Sequence, residues 1–311
     1  MTESREHILT PGDFESLFGE SLSSCVKNRI KKYNLRYRNL TPEERDSCFS
    51  KIISVLQSGD FMYSGEHRYE QWEKGWRQNL DELLKGNASD AMIPRYFGKH
   101  EINRLKQKFI RPVSPNFEYN MLGVILDWLF DKYLKDYENI YEFGCGTGHN
   151  LVRLRSFNPK ANLWGLDWAK SSQDMINKYA LVNSDKKLFA KKFDYFNPDF
   201  SLKLKQGSAI YTVASLEQIG SKYHSFIDYL LKNKPSICIH AEPVEELLDQ
   251  GNLLDYLSIR YFKKRNYLSG YLTYLKDLES KGKVKIIKAQ RNYVGSFFIE
   301  GYSVIIWTPI A

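Results

Sequence analysis

Three glycines at alternate positions, Gly144, Gly146 and Gly148, constrain the fold of this chain more than any other feature. A short apolar run that ends with Glu142 and Phe143 precedes them, and a segment of helical character follows. Glycine accepts positive φ angles and lets a ligand lie against the backbone. The pattern therefore predicts a ligand-binding loop between a strand and a helix, at the carboxyl end of the strand in an open α/β sheet.

The spacing of the glycines separates the classes of nucleotide-binding loop. A dinucleotide fingerprint requires a third glycine where this chain has His149. No Lys-Ser or Lys-Thr pair follows the loop, which excludes a phosphate-binding P-loop. The carboxylate of Glu142 would repel a pyrophosphate, and the loop therefore suits a cationic ligand.

An acidic residue followed by G-x-G-x-G resembles the first motif of the class I S-adenosylmethionine (SAM)-dependent methyltransferases. The resemblance implies a Rossmann-like, mostly parallel seven-stranded sheet with helices on both faces and an antiparallel last strand. It also implies SAM as the cofactor and S-adenosylhomocysteine as the product. By resemblance, the cofactor contacts in this loop are Glu142, Gly144, Cys145, Gly146 and Gly148.

Two further acidic residues at strand ends extend the resemblance. Asp167 ends an apolar segment about twenty residues beyond the last glycine, where a ribose-binding carboxylate lies in a βαβ unit. The resemblance assigns Asp167 to the SAM ribose, and Trp168 either stacks on the adenine or lies in the core. Asp194 and Tyr195 match the acid that accepts from the adenine amino group and the neighbour that lies against the ring.

Composition limits the class of protein. The 311 residues, 42% of them hydrophobic, suffice for a domain with an extension, and we expect neither a membrane span nor a leader peptide. The four cysteines lack C-x-x-C spacing, which favours free thiols in a cytoplasmic protein and disfavours zinc. The net charge of +8 comes from dispersed basic residues, which favours a solvated surface over a nucleic-acid interface.

The chain divides into two predicted parts. Residues 1–115 form an N-terminal helical extension, with a helix that starts at Thr41 and a possible role as a lid over the substrate. Residues 116–311 form the catalytic domain and begin with an amphipathic helix. Trp72 lies on an aromatic face of the extension, which predicts either a core contact or a wall of the acceptor pocket.

Three residues near the ends of the fourth and fifth predicted strands are candidates for a general base. Glu217 follows the fourth strand, and His240 and Glu242 end the fifth. His240 has the unperturbed pKa best suited to a base near neutrality, and its alternative role is a hydrogen-bonded residue at a strand end. The H-x-E spacing permits a metal, but we predict none. A loop before the last strand adds Arg291 and Tyr293 as candidate contacts to the acceptor.

The fourth strand continues as Ser215-Leu216-Glu217-Gln218 and lacks the Asp/Asn-Pro-Pro-aromatic segment of methyltransferases that act on nucleic-acid amines. The sequence therefore predicts a methyltransferase for a small-molecule acceptor, with a sugar hydroxyl of a polysaccharide or secondary-metabolite precursor as the first hypothesis. The alternatives are an RNA or protein methyltransferase and a non-catalytic SAM-binding subunit.

Overall fold

The structure is a computed structural model that describes residues 5–59, 61–86 and 91–310. The strands in these residues are β1 (Glu6–Ile8), β2 (Arg36–Asn39), β3 (Asn103–Leu105), β4 (Lys108–Pro112), β5 (Asn139–Phe143), β6 (Asn162–Asp167), β7 (Leu188–Lys192), β8 (Ala209–Val213), β9 (Ile237–Glu242), β10 (Val284–Gln290), β11 (Val294–Gly295) and β12 (Ser303–Pro309). The α-helices are α1 (Pro11–Phe18), α2 (Ser24–Ile30), α3 (Pro42–Gln57), α4 (Tyr69–Leu84), α5 (Phe117–Leu129), α6 (His149–Arg155), α7 (Lys170–Val182), α8 (His224–Asn233), α9 (Leu253–Arg265) and α10 (Tyr271–Ser280).

Seven strands form the main sheet, in the order β10-β12-β9-β8-β5-β6-β7. The strands from β5 to β9 pair in parallel, whereas β12 is antiparallel to both of its neighbours, β9 and β10. All five residues of β8 are buried, as expected for a central strand covered on both faces. The predicted α/β sheet with an antiparallel last strand is confirmed.

A second sheet corrects the prediction that residues 1–115 are only helical. Strands β1, β2, β4, β3 and β11 form an antiparallel sheet in that order, and four of the five come from this segment. Each of these strands has five residues or fewer, which is too short to show a clear alternation of apolar and polar side chains. Pairing with the distant β11 stabilises them, and a local pattern cannot reveal that contact.

The N-terminal segment and the sheet domain share one hydrophobic core. Phe18 of α1 stacks on Trp128 of α5 with ring centroids 4.3 Å apart, and both side chains are buried. Arg29 of α2 donates to Asp127 of α5 across 2.9 Å. The predicted boundary at residue 116 therefore falls inside a continuous core.

Two predictions about local helix signals have different outcomes. Helix α3 begins as predicted, because Thr41 and Glu44 form a reciprocal capping box and Pro42 is the first helical residue. The sequence also predicts a long helical stretch from about Leu253 to Lys281, and the structure divides this stretch into two helices, α9 and α10. Asn266 ends α9 with a left-handed backbone conformation, at a φ of 52°.

Candidate functional site

A cavity lies at the carboxyl ends of β5, β6 and β8. The strands that follow β5 in the sequence lie on both sides of it in the sheet, β6 and β7 on one side and β8 and β9 on the other. Open α/β sheets bind ligands at this position, because the loops after neighbouring strands diverge there. Residues from α4 and from the segment after it close the other side of the cavity. Its lining includes Tyr69, Trp72, Trp76, Pro94, Tyr96, Gly144, Cys145, Gly146, Thr147, His149, Asn150, Asp167, Trp168, Tyr195, Phe196, Ser215 and Gln218.

The glycine loop has the backbone that its sequence predicts. Gly144 and Gly146 have φ angles of 65° and 52°, in the region that residues with a Cβ seldom adopt. A Cβ on Gly144 would lie 2.5 Å from the Cβ of Ser215, so the close approach of two loops also requires glycine here. The amide of Gly144 donates to the carbonyl of Leu166 across 2.7 Å, which fixes the loop against the end of β6.

Asp167 lies beside this loop, as predicted for a ribose-binding acid. Its Oδ2 accepts from the amide of Gly146 and its Oδ1 from the amide of Ala169, each across 2.9 Å. Burial raises its pKa to about 6. Both oxygens retain a free lone pair, and the carboxylate lines the cavity.

The next residues form an aromatic corner of the cavity. Trp168 stacks on Tyr69 of α4, with ring centroids 4.3 Å apart. The hydroxyl of Tyr69 donates to Asp194 Oδ1 across 2.6 Å. Tyr195 lines the cavity from beneath the glycine loop, where its hydroxyl contacts Ser215 Oγ at 3.0 Å. Phe196 also packs against the ring of Tyr69, with centroids 6.1 Å apart.

Helix α4 covers the glycine loop. The sequence predicted a possible lid in residues 1–115, but it did not predict this particular contact. A Cβ on Gly146 would lie 2.9 Å from the indole of Trp76. Trp76 stacks on Trp72 with ring centroids 5.4 Å apart, and both line the cavity. Glu73 accepts from the amide of Ser171 in the first turn of α7, which attaches α4 to the sheet domain. The only sequence feature that pointed to this contact was the aromatic face around Trp72.

Two predicted cofactor contacts, Glu142 and Gly148, lie behind the cavity wall. Glu142 is 1% exposed and accepts from Asn150 Nδ2 at 2.8 Å and from the Tyr211 hydroxyl at 3.0 Å. Burial raises its pKa to about 8. Gly148 precedes α6 and packs closely on Ile176, because a Cβ there would lie 2.8 Å from that side chain. Glu142 therefore organises the loop from below.

Two polar residues at the start of α6 line the cavity and were not predicted as site residues. His149 and Asn150 are 7% and 3% exposed. His149 Nδ1 contacts the hydroxyl of Thr147 at 3.1 Å. Their place directly after the glycine pattern was the only sequence signal for them, since His149 replaces the third glycine of a dinucleotide fingerprint.

His240 does not line the cavity, which removes it as a candidate base. Its side chain is fully buried, and Nε2 contacts the hydroxyl of Tyr271 and the indole N–H of Trp307, each at 2.9 Å. Nδ1 contacts the hydroxyl of Thr212 at 3.0 Å. Burial lowers the pKa of His240 to about 3. The alternative role, a hydrogen-bonded histidine near a strand end, describes it.

The two candidate glutamates have different positions. Glu242 is fully buried and accepts from the amides of Ser215 and Leu216 at 3.0 and 3.2 Å, so it holds the turn after β8. Burial raises its pKa to about 7. Glu217 does not line the cavity itself, but it is partly buried next to the lining residue Gln218, and its Oε1 accepts from the side chain of Gln218 across 2.7 Å. Burial, followed by the charge of Glu242, raises the pKa of Glu217 to about 8.

Arg291 and Tyr293 lie outside the cavity lining, contrary to the prediction that they contact an acceptor. Arg291 is 8% exposed and pairs with Asp255 through two contacts of 2.6 Å. Its Nε also donates to Glu300 Oε2 across 2.8 Å. Each nitrogen of this guanidinium group donates to at least one of two buried carboxylates. Tyr293 packs under the group, with its ring centroid 4.5 Å from the Arg291 Cζ. The cluster connects α9 to the segment before β12.

His, Cys, Asp and Glu side chains form no group of three or more that could hold a metal ion in residues 5–59, 61–86 and 91–310. Over the same part of the chain, every helix is too short or too polar to span a membrane.

No protein-family model and no curated protein sequence matches this chain. Solved structures do match. Human N-acetylserotonin methyltransferase, crystallised with SAM, has a TM-score of 0.50 at 12% identity, covering 86% of this chain and 67% of that chain. The N-methyltransferase NodS from Bradyrhizobium japonicum WM9, crystallised with S-adenosylhomocysteine, has a TM-score of 0.48 at 12% identity, covering 76% and 100%.

The O-methyltransferase NcsB1 from neocarzinostatin biosynthesis has a TM-score of 0.43 at 15% identity, covering 61% of this chain. The match spans 56% of the NcsB1 chain, less than two thirds of its length. At these identities the comparisons establish the fold alone. The chain has the Rossmann-like fold of class I methyltransferases, which confirms the fold that the sequence motifs implied.

Proposed function

We propose that this protein transfers a methyl group from SAM to a small-molecule acceptor. The observation that carries the proposal is the placement of the glycine loop, Asp167 and Trp168 around one cavity at the carboxyl edge of the sheet. Tyr195, from the motif after β7, lines the same cavity, so residues of three separate sequence motifs meet there. A plain turn between a strand and a helix would not require this convergence.

The residues of the cavity fit SAM by their chemistry. The free lone pairs of Asp167 suit the two ribose hydroxyls, and Trp168 offers a ring face to the adenine. The carboxylate of Asp167 lies beside the loop and favours a cationic ligand over a pyrophosphate. When bound, SAM would supply a methyl group on a positively charged sulfur, which is already activated for transfer.

We assign the role of general base to Glu217 and withdraw it from His240 and Glu242. Glu217 lies between Ser215 and Gln218, which line the cavity, and its pKa of about 8 suits proton abstraction from a hydroxyl near neutral pH. Positioning and base catalysis together suffice for this reaction, because the leaving group needs no protonation.

The acceptor in this proposal is a sugar-like hydroxyl of a polysaccharide or secondary-metabolite precursor, methylated in the cytoplasm. The support is the aromatic wall formed by Trp72, Trp76 and Tyr96, since flat aromatic faces stack on sugar rings. A screen with labelled methyl groups tests this assignment. Turnover with RNA and none with sugar-like acceptors would replace it with the nucleic-acid alternative.

We also propose that α4 acts as a lid over the cofactor. Tyr69 occupies the hydrogen-bonding position at Asp194 that the resemblance gives to the adenine, and Trp76 covers Gly146. Both side chains would have to move before a nucleoside could reach the loop. Point substitutions in α4 test the lid better than truncation at residue 116, because truncation would remove part of the shared core.

The first experiment is calorimetric titration of the full chain with SAM, S-adenosylhomocysteine and NAD. We expect binding of both adenosyl ligands, none of NAD, and a loss of about 30-fold or more in affinity for Asp167→Ala, which removes charge-assisted hydrogen bonds. The matched control is Asp199→Ala, at an exposed carboxylate outside the cavity lining. Binding of NAD, or of no ligand, would overturn the proposed function.

A further inference from the structure

Two arginines, Arg68 and Arg265, lie beside the part of the cavity wall that follows β8. Arg68 directly precedes α4, and its Nη1 donates to Oε1 of the lining residue Gln218 across 2.6 Å. Arg265 is the last residue of α9, and its carbonyl accepts from the amide of Ser64 across 2.8 Å. The hydroxyl of Ser64 donates to the same oxygen of Gln218 across 3.2 Å, so this segment connects both arginines to one wall of the cavity.

Arg68 is a buried cation without a carboxylate partner. It is 7% exposed, and its Nε donates to Oε1 of Gln71 across 3.0 Å. Both side-chain acceptors of Arg68, on Gln71 and Gln218, are neutral amides, and no residue that the structure describes forms an ion pair with it. Burial, followed by the charge of Arg265, lowers the pKa of Arg68. A buried charge without an opposite charge nearby is unfavourable, so this arrangement indicates a site for an anion.

Arg265 also makes only neutral contacts. Its Nη1 donates to the carbonyl of Met62 across 2.5 Å and its Nη2 to the hydroxyl of Tyr267 across 3.2 Å. Its Nε is buried and has no hydrogen-bond partner within the described part of the chain. Buried polar atoms of native proteins almost always have a partner, so Arg265 gives a second and separate indication of a ligand at this wall.

Glu217, the proposed base, is the carboxyl group that acts on both arginines. Their charges lower its pKa, but burial and the charge of Glu242 outweigh them and raise that pKa to about 8. Glu217 is therefore mostly protonated at pH 7, and its Oε1 accepts from the side chain of Gln218. It does not neutralise the two cations near neutral pH, which leaves net positive charge beside the base.

Building on the proposed function, we propose that Arg68 and Arg265 bind an anionic group of the methyl acceptor, a carboxylate or a phosphate. A guanidinium group has a planar fork of N–H donors that matches the paired oxygens of both groups. The proximity of the two arginines to Glu217 assigns this anion to the acceptor and not to the cofactor. The substrate class is therefore an acidic sugar or a similar acidic compound with a hydroxyl group, since a neutral sugar would leave both cations unpaired.

The test titrates four probes by calorimetry into the full chain saturated with S-adenosylhomocysteine. Glucose is the neutral probe, glucuronate and glucose 6-phosphate carry a carboxylate or a phosphate on the same ring, and inorganic phosphate presents the anion alone. The variants are Arg68→Gln, Arg68→Lys and Arg265→Gln. The matched control is Arg260→Gln, at an exposed arginine of α9 outside the cavity lining.

We expect one of the two anionic sugars to bind wild type at least about tenfold more tightly than glucose, and its identity distinguishes a carboxylate from a phosphate. Arg68→Gln and Arg265→Gln should each weaken binding of that sugar by about 10- to 100-fold, the effect of losing a hydrogen bond to a charged group. Arg68→Lys keeps the charge without the fork and should give a smaller loss. Affinity for S-adenosylhomocysteine should stay unchanged in these variants, and Arg260→Gln should change neither affinity.

Equal affinities for glucose and both anionic sugars, or no binding of any anionic probe, would overturn the anion site while leaving the proposed function intact. Arginine variants that lose affinity for S-adenosylhomocysteine as strongly as for the anionic sugar would assign the anion to the cofactor and would also overturn it. The midpoint of thermal unfolding identifies any variant that has lost its fold, and Arg68→Lys is the variant that disturbs the buried charge least. Failure of wild type to bind S-adenosylhomocysteine would instead overturn the proposed function itself.

Discussion

The hydroxyl of Tyr69 donates a hydrogen bond to Asp194 across 2.6 Å while its ring stacks on Trp168. Tyr69 thus makes the two contacts, a stack and a hydrogen bond to a strand-end acid, that the sequence motifs assign to an adenine ring. One helix of the N-terminal segment therefore covers the site that the sheet forms.

Tyr69→Ala should speed the association of S-adenosylhomocysteine by about tenfold. It removes a stack and a hydrogen bond that hold α4 closed, and a change of about 1.4 kcal/mol in the opening step corresponds to that factor. Tyr69→Phe, which keeps the ring, should give a smaller increase. Stopped-flow tryptophan fluorescence measures the rates, since Trp72, Trp76 and Trp168 line the cavity.

The control for this experiment is Tyr256→Ala in α9, at a tyrosine that is 47% exposed and outside the cavity lining. If Tyr69→Ala binds S-adenosylhomocysteine with the same association rate and the same affinity as wild type, α4 does not obstruct the cofactor.

Glu217→Gln should lower the single-turnover rate of methyl transfer by about 10²- to 10⁴-fold, because the amide cannot accept the proton of the acceptor hydroxyl. Its affinity for S-adenosylhomocysteine should stay close to wild type. The measurement uses the acceptor identified in the labelled-methyl screen, with SAM and the acceptor both at saturating concentrations.

His240→Gln is the contrasting variant. His240 accepts from Trp307 in the core and does not line the cavity, so its loss should lower the unfolding free energy by about 1–3 kcal/mol for each donor left unpaired. The rate per folded molecule should not change. A pH–rate profile altered by His240→Gln and unaffected by Glu217→Gln would reverse the two assignments.

Arg291→Ala should lower the unfolding free energy by about 3–5 kcal/mol, because it leaves the buried carboxylates of Asp255 and Glu300 without their cation. Urea unfolding measures the change. The control Arg45→Ala breaks an exposed pair with Asp46 and should cost less than about 1 kcal/mol. A fully stable Arg291→Ala with weakened acceptor binding would restore the role that the sequence indicated.

Glu142→Gln should change how stability depends on pH. Burial raises the pKa of Glu142 from 4.5 to about 8 in the folded protein, so the folded state binds its proton more tightly than the unfolded state. The contribution of Glu142 to the unfolding free energy is therefore fully present below pH 4.5 and is lost as the pH rises through 8. The variant lacks this loss. Its unfolding free energy relative to that of wild type should therefore rise between pH 4.5 and 8, by at most about 1.4 kcal/mol per pH unit.

Urea unfolding of both proteins between pH 5 and 9 measures the difference, with Glu70→Gln as an exposed control. A difference between wild type and Glu142→Gln that is independent of pH would mean that Glu142 titrates at the same pH in the folded and unfolded states.

Local sequence determined the strands of the main sheet, the glycine loop and the order of the acids that follow its strands. Gly144, Gly146 and Asp167 could be assigned because a backbone that needs positive φ angles, and a carboxylate at the end of a strand, leave a local pattern. The start of α3 at Thr41 was predictable for the same reason, since a capping box involves residues that are close in sequence.

Tertiary structure decided which polar side chains reach the cavity. His240 and Glu242 lie on one strand at a spacing that suits catalysis, yet the core surrounds both, and Arg291 is held by acids on α9 and in a later loop. The cover of the cavity by Tyr69 and Trp76 depends on how α4 packs against α7. Glu73 of α4 and Ser171 of α7 are 98 positions apart in the sequence, and the geometry of their contact is set by packing rather than by any local periodicity.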